Sequence, residues 1–193
     1  VAIVTGAAKG LGYYIAVKLL EEGAKCALTD IVEGDLVSTV DQLRGHGKSA
    51  IAVQVDVSDK RQVKNMVKRV MDTWGRIDVL VNVAGGGLGT PFALDEIEEK
   101  HWDLVVNVNL KGTFLCCQSI IPIMASQGSG AIVNISALAA HYRATMAGVQ
   151  YTAAKAGVGR IGRPSVSLYS DTLPDTTGVE RDPQASARPS TAP

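Results

Sequence analysis

Two rhythms of apolar and polar residues run along the chain. Short apolar runs stand at Val1-Ala2-Ile3-Val4, Cys26-Ala27-Leu28, Ala50-Ile51-Ala52-Val53-Gln54-Val55, Val79-Leu80-Val81 and Ala131-Ile132-Val133-Asn134-Ile135. They have the length and β-branched content of strands buried on both faces. Between them apolar residues recur every third or fourth position: Leu11, Ile15, Ala16, Leu19 and Leu20; Leu36, Val37, Val40 and Leu43; Val63, Met66, Val67, Val70, Met71 and Trp74; Leu110, Phe114, Leu115 and Ile121. That spacing predicts four helices. Gly23, Gly45-His46-Gly47 and Gly75 supply their stops. Ser58 or Asp59 is placed to cap the third. Pro122 is expected to kink or shorten the long fourth helix, which begins near Glu96 or Trp102 and ends near Ser126. A further helix starts at Gln150-Tyr151-Thr152-Ala153-Ala154-Lys155-Ala156.

Strict alternation of strand and helix predicts an α/β fold, a doubly wound parallel sheet of Rossmann type with helices on both faces and right-handed crossovers. Ligands of such sheets bind beyond the C-terminal strand ends. The turn 6–12, Asp30, Asp56, the segment 82–89 and Ser136 all fall there, and the glycine-rich stretch 85–89 is expected to be a mobile loop. The pattern breaks after Val158. Gly159, Gly162 and Pro164 are poor helix residues, five of the seven prolines lie at or beyond position 164, and no further strand is legible. The expected division is a domain over 1–158, lacking the usual last strands of such a sheet, and a disordered or non-native tail over 159–193.

Composition narrows the field. At 193 residues, 46% apolar and 20% charged, with no net charge, the chain suits one soluble domain and shows no basic excess for nucleic acid or a membrane surface. Cys26, Cys116 and Cys117 have no metal-ligand spacing and read as buried thiols in a reducing, cytoplasmic setting. No signal peptide and no bilayer-length apolar run is visible. His46, His101 and His141 are scattered and read as solvated surface.

The stretch 1–30 carries the first chemistry: strand, glycine turn, helix, strand, acid. A helix that opens on a glycine turn offers unpaired N–H groups and its dipole's positive end to an anion. Gly6 permits the turn, while Gly10 and Gly12 allow a pyrophosphate and the strand to approach the backbone. Asp30 ends the second strand, where a ribose diol would be held. Tyr151 and Lys155 carry the second. Four residues apart on a helix, they share a face. An ammonium about 4 Å from a phenol favours the phenolate by about 4 kcal/mol at an effective dielectric near 20. The pair is therefore expected to draw the tyrosine pKa down toward neutrality, where it exchanges protons with an alcohol or ketone.

The glycine spacing Thr5-Gly6-Ala7-Ala8-Lys9-Gly10-Leu11-Gly12 and the helix Tyr151-Thr152-Ala153-Ala154-Lys155 together resemble the short-chain dehydrogenase/reductase family. Asn82-Val83-Ala84-Gly85 is similar to that family's Asn-Asn-Ala-Gly, and Asp56-Val57 to its adenine-contacting pair. The resemblance covers Val1 to about Val158. It implies an NAD(P)-dependent oxidoreductase that moves a hydride between a nicotinamide and a secondary alcohol or ketone, like a 3-oxoacyl-thioester reductase or a polyol or sugar dehydrogenase. NAD is preferred and NADP possible, since Asp30 opposes a 2′-phosphate while Lys9 attracts one. It implies Tyr151 as acid/base, Lys155 as the group that lowers its pKa and binds the nicotinamide ribose, and Gly6, Lys9, Gly10, Leu11, Gly12, Asp30, Asp56, Val57, Asn82, Ala84 and Gly85 around the cofactor. It further implies a homo-oligomer acting on a small-molecule alcohol or ketone. Asn109 stands where the family holds a relay water, or is a helix-kink residue satisfying backbone groups. The serine departs from the pattern. The family's pair is here Ser136-Ala137, so Ser136 either reaches the site through a longer loop or caps the strand end. The alternative to an enzyme is a catalytically impaired dinucleotide-binding protein.

Overall fold

A computed structural model describes residues 1–141 and 147–169, with side chains as far as Ile161. Five strands, β1 (Ala2–Thr5), β2 (Cys26–Asp30), β3 (Ala50–Gln54), β4 (Val79–Asn82) and β5 (Ala131–Asn134), form one sheet in the order β3-β2-β1-β4-β5. Every neighbouring pair is parallel. The order reverses beside β1: the chain builds outward to β3, then returns to place β4 on the other side. That reversal opens a crevice at the C-terminal strand ends, between the loops after β1 and β4.

Helices cover both faces, as the alternation of strands requires. On one, α1 (Gly10–Glu21) and α2 (Glu33–Gly45) bury Ala16, Leu20, Leu36, Val40 and Leu43 against Ala2, Val4, Cys26 and Leu28. On the other, α3 (Lys60–Trp74) and α5 (Gly112–Gln127) bury Val63, Met66, Val70, Leu115, Ile120 and Met124 against Ile3, Ala27 and Leu80. Asp59, not Ser58, caps α3, its carboxylate accepting from the Arg61 and Gln62 amides. Gly75 closes that helix at φ +72°, in the left-handed region. Leu11 and Val37, counted from the spacing as core, are exposed, because burial narrows to Gly12, Ala16 and Leu20 on α1 and to Leu36, Val40 and Leu43 on α2.

The long helix predicted between strands four and five is three pieces in one run: α4 (Glu99–Val106), a π turn at Asn107–Lys111, and α5. Pro122 does not shorten it: α5 continues to Gln127, without the hydrogen bond a proline cannot donate. Glu99–Gln127 is long and apolar enough by composition to cross a membrane, against the sequence expectation, yet α5 packs on β4 and α3 as a core helix. His101 is no bystander: its Nδ1 accepts from the Glu98 amide in a capping box.

The final helix, α6 (Val149–Tyr169), passes straight through the expected boundary at Val158. Ala154 and Val158 are buried and Ile161 packs on the core, so the stripe persists through the glycines. Once anchored, each added residue other than Pro164, which has no N–H to donate, gains a backbone bond without a new nucleation penalty. The rest of the expected tail, 170–193, lies outside the described residues.

Candidate active site

β1 delivers the glycine turn to the crevice. Thr5, buried at the strand end, uses its Oγ1 to accept hydrogen bonds from the Val83 and Ala84 amides at 3.0 and 3.1 Å, drawing the loop after β4 onto the turn. Gly6 follows at φ +64°, and a Cβ there would stand 2.8 Å from Ala84 Cα. At Gly12 a Cβ would collide with the Gly6 carbonyl oxygen. Gly10 differs: its φ is +61° and nothing lies within 4 Å of its Cβ position, so the space above it is open. Lys9, the exposed N-cap of α1, makes no side-chain cap bond, and α1 has no acidic residue in its first turn. The helix end is therefore neither capped by a side chain nor electrostatically opposed to an anion.

Asp30 ends β2 with both carboxylate oxygens employed. Oδ2 accepts from the Ala8 amide at 3.1 Å and Oδ1 from the Val32 amide at 3.2 Å, tying turn to strand while the side chain stays half-buried. Asp56, after β3, accepts from the Ser58 amide and hydroxyl through Oδ1 at 2.9 and 2.7 Å. Gly6, Asp30, Asp56, Val57 and Ala84 line one cleft of about 320 Å³, joined by Thr29, Ile31, Val55, Leu88, Leu104 and Val108. Of these last six the sequence places only Leu88, within the segment 82–89, at the ligand edge; Leu104 and Val108 lie inside the predicted fourth helix, outside the apolar stripe that marks it. The cleft brings Gly6 of the glycine turn and the Asp30 and Asp56 carboxylates together with apolar walls.

Asn82 does not belong to this cleft. Buried at the end of β4, its Nδ2 donates to Asn134 Oδ1 at 2.8 Å and to Cys117 Sγ at 3.5 Å, cross-linking β4 to β5 and α5. Asn109, fully buried in the π turn, donates from Nδ2 to the Val105 and Gly86 carbonyls and accepts at Oδ1 from the Gly86 amide. Its side chain thus satisfies backbone groups on both sides. Gly85, at φ +142°, must lack a Cβ, which would strike Asn109 Oδ1. The stretch 85–89, expected to be mobile, is accordingly held at Gly86, and again at Gly87 by the Thr90 hydroxyl at 2.7 Å.

At the β5 end of the same rim stand Tyr151, Lys155 and Ser136. Lys155, 4% exposed, donates from Nζ to the Ile135 carbonyl at 2.8 Å and lies 5.9 Å from the centroid of the Tyr151 ring. The sequence expectation for the tyrosine fails in direction. Burial raises the Tyr151 pKa above its ordinary 10.0 and lowers that of Lys155 below 10.5. Both charged forms lose solvation here, and the amine is directed at a carbonyl and a ring. Ser136 gives its hydroxyl proton to the Lys155 carbonyl at 2.9 Å, anchoring α6 to the end of β5.

Residues 1–164 match the family model described as short chain dehydrogenase. The chain is 40% identical over 161 residues to the (2S)-((R)-hydroxy(phenyl)methyl)succinyl-CoA dehydrogenase subunit BbsD of Thauera aromatica, covering 82% of this chain and 62% of that protein. It is 38% identical over 157 residues to the 3-oxoacyl-(acyl-carrier-protein) reductase FabG of Staphylococcus epidermidis, covering 77% and 64%. Among solved structures, a 3-ketoacyl-ACP reductase from Sinorhizobium meliloti superposes with a TM-score of 0.84 at 31% identity, over 89% of this chain and 67% of that one. An actinorhodin polyketide ketoreductase with NADPH gives 0.83 at 31%, over 89% and 65%. The chain spans somewhat under two thirds of the length of the curated relatives it matches.

Proposed function

This chain belongs to the short-chain dehydrogenase family, and on that footing we propose that it is an NAD(P)-dependent oxidoreductase acting on a secondary alcohol or its ketone. The observation that carries the proposal is the shared rim: the cleft of Gly6, Asp30 and Asp56 at one end of the sheet's C-terminal edge, and Tyr151 with the buried Lys155 at the other. Gly6, Gly10, Gly12 and the start of α1 would hold the pyrophosphate. Asp30 would hold the adenosine ribose, Asp56 and Val57 the adenine, and Lys155 the nicotinamide ribose. When bound, the nicotinamide supplies the hydride donor or acceptor. Tyr151 gives a proton to the ketone oxygen in reduction and takes one from the hydroxyl in oxidation, because the carbon's change of two electrons must be matched by a proton at oxygen. The FabG and ketoreductase relatives favour a 3-oxoacyl thioester among the carbonyl substrates, with polyols and sugars the competing class. The family's habit of assembly supports a homo-oligomer.

One observation favours a second reading, a dinucleotide-binding protein with impaired turnover. Ala137 occupies the place of the family's second serine, and the Ser136 hydroxyl is bonded to the Lys155 carbonyl. No hydroxyl in the described part of that pair is then free to orient a carbonyl.

Titration with NADH and NADPH by fluorescence, followed by turnover with a panel of ketones and thioesters, separates these readings. NADH is expected to bind about tenfold tighter, since Asp30 repels a 2′-phosphate; tighter NADPH would assign the choice to Lys9. Tyr151→Phe is expected to lower turnover by 10²- to 10⁴-fold while leaving dinucleotide affinity within about twofold. Binding without turnover in the unmodified chain would favour the second reading.

A further inference from the structure

Gln150, the residue before Tyr151, is 1% exposed and takes no part in the chemistry above. Its Nε2 donates to Thr90 Oγ1 at 2.8 Å and to the Pro91 carbonyl at 3.0 Å, some 60 residues earlier in the chain. Thr90, itself buried, passes its hydroxyl proton to the Gly87 carbonyl at 2.7 Å, and its amide bonds the same oxygen at 3.0 Å. The direction of this relay is fixed by chemistry. A carbonyl only accepts and the Thr90 proton is already committed, so both partners require the NH2 of Gln150. Its Oε1 is consequently buried without a hydrogen-bond partner among the described residues. Such an orphan persists only where the other contacts outweigh its lost solvation.

The relay ends beside Leu88, a non-glycine residue held at φ +55° that lines the cleft with Gly6, Asp30 and Val57. Asn109 grips the loop on the near side, at Gly86, and Gln150 grips it on the far side. We propose that Gln150 is a positioning residue: through Thr90 it holds Leu88 as a wall of the cofactor cleft, and by the same bonds it sets where the helix bearing Tyr151 begins. Cofactor affinity and the placement of the proton donor are thereby coupled through one buried amide. The inference rests on the dinucleotide reading of the cleft.

The test uses the full chain and four variants: Gln150→Leu, near in volume but without donors; Thr90→Val, without the hydroxyl; Thr90→Ser, which keeps it; and the Gln150→Leu/Thr90→Val pair. NADH and NADPH affinity, kcat, KM and Tm are measured for each. Gln150→Leu is expected to weaken dinucleotide binding about three- to tenfold and to lower kcat. Thr90→Val reproduces the affinity loss, the double variant adds nothing to it, and Thr90→Ser returns it to within about twofold. A lowered Tm with unmodified affinity, or additive losses in the double variant, overturns the inference, since a purely structural amide behaves that way. If Gln150→Leu does not fold, the Thr90 pair decides: affinity indifferent to valine against serine overturns it. Failure of the unmodified chain to bind either nucleotide overturns the dinucleotide reading and this inference with it, whereas binding that ignores Gln150 and Thr90 overturns this inference alone.

Discussion

Tyr151 shows how a motif's chemistry depends on where its charges end up. Helical spacing puts Lys155 on the same face, but Lys155 Nζ reaches the Ile135 carbonyl, and burial disfavours phenolate and ammonium alike. The fold therefore favours the neutral phenol. Its contribution to stability is intact below the unfolded pKa and is lost as pH rises through the raised folded value. For catalysis the sign is direct. On the proposed role of Tyr151 as acid/base, reduction needs the phenol and should hold constant through neutral pH; oxidation needs the phenolate, so its kcat/KM should climb without a plateau until above 10.0, the ordinary tyrosine value. The pH profile of kcat/KM, which reports the free protein, checks this. A plateau near neutrality would mean that the ammonium governs after all.

Among the elements, glycines on two helices separate local preference from packing. Gly112 opens α5, and a Cβ there would lie 2.6 Å from Val57 Cγ2, a methyl on the cleft wall. Alanine gains up to about 1 kcal/mol in helix propensity over glycine. Overpacking a stiff β-branched neighbour costs about 1–3 kcal/mol. Gly112→Ala should therefore lower stability and weaken dinucleotide binding. Gly159 sits inside α6 with nothing within 4 Å of its Cβ position, so Gly159→Ala should gain about 0.4–1 kcal/mol. Denaturant midpoints measure both, and equal signs for the two would refute the packing argument.

At the scale of the whole molecule, the two faces of the sheet enclose all three cysteines. Cys26 lies under α1, and Cys116 and Cys117 face the α3–α5 side. Burial pushes Cys26 and Cys117 up to about 11 and Cys116 to about 12, so the thiolate that attacks disulfides and alkylating reagents is nearly absent. The native protein should react with a thiol reagent at pH 8 only as fast as it opens, and saturating dinucleotide should slow that reaction further. At 100 times the dissociation constant the bound state gains about 2.7 kcal/mol, equivalent to about a hundredfold in global opening. Rapid labelling of one thiol in the native protein would show that one face of the sheet opens alone.

What the sequence determined by itself was whatever local pattern dictates. Five apolar runs, the helical stripes between them and the glycine turn Gly6–Gly10–Gly12 follow from backbone sterics and from the burial of alternate faces, and a reader of the chain can recover them. That Asp30, Asp56 and Ala84 would line one cleft was legible because strand ends converge in any parallel sheet. Tertiary structure alone decided the rest, since hydrogen-bond partners far apart in sequence leave no periodic trace. Asn82 turned away from the cleft to bond Asn134, and Ser136 gave its proton to the Lys155 carbonyl. Thr5 became the clasp for the loop after β4, and Gln150, unremarkable beside Tyr151, became the anchor of Thr90 and Pro91. The continuation of α6 past Val158 was decided in the same way: propensity argues against Gly159, and Pro164 withholds a backbone hydrogen bond, yet a helix already docked through Ala154, Val158 and Ile161 continues without a new nucleation penalty.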